Sequence, residues 1–149
     1  MTNATDSLPT EPKGIGGWLI LPMLWTLLSP MLAVRGIMEI VSAFDRDLTT
    51  GLKILLTAEI IFNLCLVIGW IFTAVWLFKH KRSFPLLFIT MLVVSFAGPL
   101  VDACVAIWIF EVQLGASDYR YLGLGLVIML IGTHYVTRSK RVRNTFIVS

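Results

Sequence analysis

Four long apolar runs, almost free of charge, constrain this chain more than any other feature. A helix needs about 20 predominantly apolar residues to cross about 30 Å of hydrocarbon at about 1.5 Å per residue. The first run extends from Ile15 to about Ile40, with no charge before Arg35, and the second, Ile54 to Phe78, holds one acid, Glu59. The third, Phe84 to Phe110, holds Asp102, and the fourth, about Tyr121 to Val136, is the shortest and carries His134 near its end. Tilt of the neighbouring helices, or an interfacial stretch from Leu114 to Arg120, absorbs the shortfall in the fourth. In hydrocarbon each segment must satisfy its own backbone hydrogen bonds, so the expected fold is all-α. It is an integral membrane, antiparallel four-transmembrane-helix bundle over residues 15–137.

Composition closes the alternatives. Of 149 residues 57% are hydrophobic and 14% charged, against roughly 25% charged in a soluble domain. A soluble globule of this length needs more charge to cover its surface. The net charge of +3 does not point to nucleic acid, because the cations sit at the ends of apolar runs rather than along one face. Residues Met1 to Gly14 are polar, with two prolines and no periodicity, and read as a mobile tail. A cleavable leader is not expected, because Asp6 and Glu11 precede a full-length span.

Lys and Arg are retained on the cytoplasmic side of short loops. Four spans put both termini on one face. That face collects eight of the 12 cations: Lys13, Lys79, Lys81, Arg82, Arg138, Lys140, Arg141 and Arg143. Arg35, Arg46, Lys53 and Arg120 fall on the other, together with Glu39, Asp45, Asp47, Glu111 and Asp118. Both termini are therefore expected in the cytoplasm. Trp18, Trp76 and Tyr135 then fall at inner boundaries, and Trp108, Tyr119 and Tyr121 at outer ones, where amphipathic rings belong.

The ends of the chain are more specific. Gly14-Ile15-Gly16-Gly17-Trp18-Leu19-Ile20-Leu21-Pro22 enters the first span, and Tyr135-Val136-Thr137-Arg138-Ser139-Lys140-Arg141-Val142-Arg143-Asn144-Thr145-Phe146 closes the chain. Both resemble the ends of small bacterial inner-membrane proteins grouped as domain of unknown function 2569. The resemblance implies a four-span protein of the bacterial inner membrane, assigns no activity, and carries no catalytic or ligand-binding residue.

An ionisable side chain in hydrocarbon costs about 2.5–3.5 kcal/mol on insertion scales, so it faces protein or water and is a functional candidate by default. Glu59 lies about 7.5 Å inside its span, Asn63 about 13.5 Å and Asp102 about 12 Å, counting from the outer ends at the helical rise. The three are expected to form one polar cluster in the outer half of the bundle, with Arg35 as counter-ion. As a proton or cation pathway, Glu59 and Asp102 would change protonation state. As a structural contact, they would fix helix assembly for about 1–2 kcal/mol or less. A relay also needs acceptors in the inner half, where only Thr73, Thr90, Ser95, Thr133 and His134 are available. The structural reading is therefore preferred.

Pro22, Pro30 and Pro99 each remove a backbone donor and are expected to bend their helices. A bend at Pro99, three residues before Asp102, would open a polar pocket; better packing around Gly69, Gly98 and Gly125 is the simpler outcome. Cys65 and Cys104 differ in expected depth by about 7 Å and read as packing residues rather than a disulfide. No metal or nucleotide motif stands out, no nucleophile–base pair supports a lipid-modifying enzyme, and no cofactor is expected.

Residues 138–149 form a basic tail. Arg138, Lys140, Arg141 and Arg143 should be drawn to anionic lipid headgroups at about 1 kcal/mol each. The hydrophobic residues in Asn144-Thr145-Phe146-Ile147-Val148-Ser149 raise a second use, docking onto an acidic cytoplasmic partner. The expectation is a non-enzymatic accessory or assembly subunit of a larger membrane complex or homo-oligomer. The alternative is a small oligomeric proton or cation transporter using Glu59 and Asp102.

Overall fold

The computed structural model describes residues 19–44 and 48–146, with the side chains of residues 141 and 144 outside that description. The tail over 1–14, the first residues of the first span and Trp18 therefore lie outside it. Five helices follow one another: α1 Ile20–Ala43, α2 Thr50–Phe78, α3 Phe84–Phe110, α4 Ala116–Arg138 and the short α5 Lys140–Phe146. The first four are long and apolar enough to cross a membrane, and the described residues contain no strand. The architecture is a four-helix membrane bundle.

Local chemistry explains where the helices differ from the apolar runs. α2 begins four residues before Ile54, because the Thr49 hydroxyl accepts from the Leu52 N–H at 3.5 Å and caps the first turn. α4 begins at Ala116 rather than Tyr121, since the Asp118 carboxylate accepts the Gly115 N–H at 2.7 Å. A polar first turn thus belongs to α4, and the fourth span is not short. α3 matches its apolar run, and α1 continues to Ala43. Pro22 lies in the first turn of α1, where the N–H has no intrahelical acceptor, so the bend expected there has no cause. Pro30 and Pro99 lie inside helices that continue through them.

Packing follows sequence order: α1 on α2, α2 on α3, α3 on α4, with α5 against α3. α1 and α4 stand at the two ends of this succession and have at most marginal contact. Without a hydrophobic drive between helices in lipid, close approach depends on small residues. The buried face of α1 carries Thr26, Ser29 and Ala33, followed at the same spacing by half-buried Gly36. Gly36 meets the Asn63 side chain of α2, and Gly98 of α3 meets the Phe62 ring. Three hydroxyls within the spans are satisfied locally: Thr26 donates to the Pro22 carbonyl at 2.7 Å, Ser29 to Trp25 at 2.7 Å and Thr73 to Gly69 at 2.8 Å, whereas the enclosed Thr133 hydroxyl of α4 has no partner among the described residues.

The core is concentrated toward the end of the bundle bearing the α2–α3 turn. Leu66, Trp70, Leu77, Phe84, Phe88, Met91 and Leu92 are buried there, joined by Leu19, Val136, Val142 and Phe146. In the opposite half of α2 and α3, Ala103 alone is buried among the described residues. One half is closed by aromatic and aliphatic packing, and the other is open.

Candidate functional site

The earlier start of α2 changes the depth of its acid. Glu59 lies nine residues inside Thr50, about 13.5 Å, and Asp102 eight residues inside Phe110, about 12 Å. Antiparallel packing of α2 and α3 in the register set by Phe62 against Gly98 therefore puts the two acids level. Their carboxyl groups come within hydrogen-bonding reach of each other. An ionised carboxylate only accepts, so a hydrogen bond between the two needs a proton on one of them. Oδ1 of Asp102 is enclosed and has no hydrogen-bond partner among the described residues. Both residues are half-buried, at the border between the closed and open halves.

Asn63 lies beside this pair but is used differently. Its Nδ2 donates to the Glu59 backbone carbonyl at 2.9 Å, and its Oδ1 faces Gly36 of α1. Asn63 therefore joins α1 to α2, while Glu59 joins α2 to α3. Arg35 is not brought to the acids as their counter-ion. Its Nε donates to Glu39 Oε1 at 2.8 Å, one turn away on α1, with the two side chains 75% and 63% exposed. An i,i+4 pair forms within one helix without the reorientation that an interhelical pair would need. The structure thus joins three of the four expected cluster residues and turns the fourth outward.

The closed half offers no continuous run of proton carriers among the described residues. Thr73 is tied to its own helix, and Ser95 accepts from the Trp70 indole at 3.1 Å. Thr90 and His134 are exposed on the outer surface of the bundle. No three metal-binding side chains converge among the described residues. Cys65 and Cys104 are free thiols on exposed positions.

At the basic end, the stretch read as a tail contains α5. Val142 and Phe146, one turn apart, are both 1% exposed. The Phe146 ring lies 4.7 Å from that of Phe84 and stacks at 6.0 Å on His80. His80 adopts φ 49° just after α2, the left-handed closing conformation usually taken by glycine, and the Lys81 N–H returns to the Trp76 carbonyl at 3.0 Å. Of the hydrophobic residues that raised docking onto an outside partner, Phe146 is used inside the chain, while Ile147 and Val148 lie outside the described residues. The missed signal was Val142 and Phe146 at helical spacing, with Ser139 before them: its hydroxyl accepts from the Val142 N–H at 3.4 Å. Lys140 and Arg143 remain exposed on the other side of α5, and Arg138 ends α4.

The family profile described as Protein of unknown function (DUF2569) matches residues 12–147. The chain belongs to this family. Both end motifs and all four spans of this DUF2569 member fall inside the match. No curated protein and no solved structure matches the chain. The DUF2569 assignment therefore agrees with a multi-pass membrane protein and leaves its activity to be argued from its residues.

Proposed function

We propose that this protein is a non-enzymatic accessory or assembly subunit that joins other membrane proteins through its helix faces. The observation that carries this reading is the outward ion pair of Arg35 and Glu39 on α1, a helix at one end of the packing succession. Arg35 lies eight residues inside the end of α1, about 12 Å, on a face that no other described helix covers. A charged pair at that place is better accommodated against polypeptide than against acyl chains. The cation bias supports an orientation with both termini cytoplasmic, and the family resemblance supports the bacterial inner membrane as its location. Extraction in mild detergent followed by mass spectrometry should recover a reproducible membrane partner, and Arg35→Gln with Glu39→Gln should weaken that recovery. A homogeneous self-complex or a monodisperse monomer, unchanged by the double variant, would refute the reading.

The meeting of Glu59 and Asp102 favours a second reading, a proton or cation site in a small oligomeric transporter. Its test is flux into proteoliposomes with Glu59→Gln and Asp102→Asn. Flux that both variants leave unchanged, or none in the parent, removes it.

A further inference from the structure

A cleft of about 350 Å³ lies at the basic end of the bundle, where α3, α4 and α5 meet. One side is apolar, formed by Leu86 and Ile89 of α3 and Val136 of α4; the other carries Arg138, Lys140 and Arg143. This arrangement follows from the fold of α5. Ser139 leaves the helical conformation at ψ 115° and breaks α4 from α5. Burial of Val142 and Phe146 then pins α5 against the start of α3. Three cations close in sequence are thereby held on two backbones around one opening.

Counter-charge is the deciding question. The sequence has no Asp or Glu between Glu59 and Asp102, and none after Asp118. The parts of α3, α4 and α5 that line this cleft therefore supply no acid to pair with Arg138, Lys140 or Arg143. The apolar wall belongs to spanning helices, and Leu86 is 71% exposed at the first turn of α3. An occupant complementary to both sides has an anionic head continuous with a hydrocarbon tail. The volume is at the small end of ligand pockets, which suits a headgroup with its chains lying outside along α3. We propose that the cleft is a specific binding site for an anionic phospholipid of the leaflet at this end, with the phosphate held by Arg138, Lys140 and Arg143 and an acyl chain on Leu86 and Ile89.

The test uses the full chain in nanodiscs of phosphatidylcholine doped with phosphatidylglycerol, with retained lipid counted by native mass spectrometry after release. The parent should retain phosphatidylglycerol in preference to phosphatidylcholine. At about fivefold per cation, Arg138→Gln with Lys140→Gln and Arg143→Gln should lower that preference about 100-fold. Lys79→Gln with Lys81→Gln removes two cations from the same end outside the cleft and should change it less than about twofold. Phe146→Ala removes no charge and should also reduce retention, by freeing α5. Equal losses in the two charge variants would reduce the effect to general surface attraction and overturn the site. So would retention in the triple variant, or displacement by glycerol phosphate at the concentration where the lipid binds. Displacement of the lipid by the acidic segment containing Asp6 and Glu11, read as a gain on Asp6→Asn with Glu11→Gln, would assign the cleft to the chain itself and overturn it too.

Discussion

Replacing Gly98 by alanine tests the register that brings Glu59 to Asp102. A Cβ built at Gly98 would lie 2.2 Å from Cε1 and 2.3 Å from Cζ of Phe62, against about 3.5–4.0 Å for carbon atoms in contact. The obstacle is a ring held between two helices, so the ring or a helix must move. Overpacking of this kind costs about 1–3 kcal/mol, and an overlap above about 1 Å places this site toward the upper end. Alanine also returns about 1 kcal/mol of helix propensity. Gly123 on α4 separates the two effects, because a Cβ there meets nothing within 4 Å. Both substitutions share the propensity gain, so the difference in their unfolding free energies, about 1–3 kcal/mol, isolates the clash. The assay is an SDS titration of the protein in mixed micelles, followed by far-ultraviolet circular dichroism. Phe62→Leu should relieve Gly98→Ala in a double-mutant cycle, because the two sites share one contact. Equal stability of the two alanine variants, with no coupling to Phe62, would refute the register and the level placement of the acids that depends on it.

Trp70→Phe and Ser95→Ala should each cost about 1 kcal/mol, and the double variant little more, because both remove one hydrogen bond; additive losses in the same titration would count against that bond. Asp118→Ala should cost about 1 kcal/mol and release the first turn of α4, read as faster amide exchange at residues 116–119; unchanged exchange would dismiss the cap. Phe146→Ala deletes a ring that is 1% exposed, and with core losses of about 3–5 kcal/mol as the upper limit it should expose residues 140–146 to limited proteolysis. A cleavage rate equal to the parent's would show that Phe146 does not hold α5.

The spans were legible because the apolar runs have no rival explanation, and α3 coincides with its run at both ends. The ends of α2 and α4 were not, because Thr49 and Asp118 act through single side-chain contacts to backbone N–H groups that hydropathy does not register. That limit reached the candidate site. Counting Glu59 from Ile54 placed it above Asp102, whereas counting from Thr50 makes the two level. Depth alone points Arg35 to the acids, yet Glu39 stands one turn away on the same helix and is reached at lower entropic cost. The small-residue spacing of Thr26, Ser29, Ala33 and Gly36 was available in the sequence and identifies the face of α1 that meets α2.

The uneven packing gives the polar residues their meaning. Interhelical hydrogen bonds in membrane proteins average well below about 1 kcal/mol, because the unassembled helices also find partners. A contact between Glu59 and Asp102 kept only for stability would gain more from being enclosed in the aromatic half, where Trp70, Phe84, Phe88 and Phe146 exclude water and lipid. It stands instead at the border, with one carboxylate oxygen enclosed and the half beyond it containing only Ala103 as a buried residue of α2 and α3. The closed half fixes the register of α2 against α3 without help from the acids, through Trp70 with Ser95 and Gly69 with Met91. Removing both carboxylates should therefore leave the fold nearly as stable as before, so any larger loss on Glu59→Gln with Asp102→Asn, in assembly or in flux, measures what the pair does beyond holding the helices together.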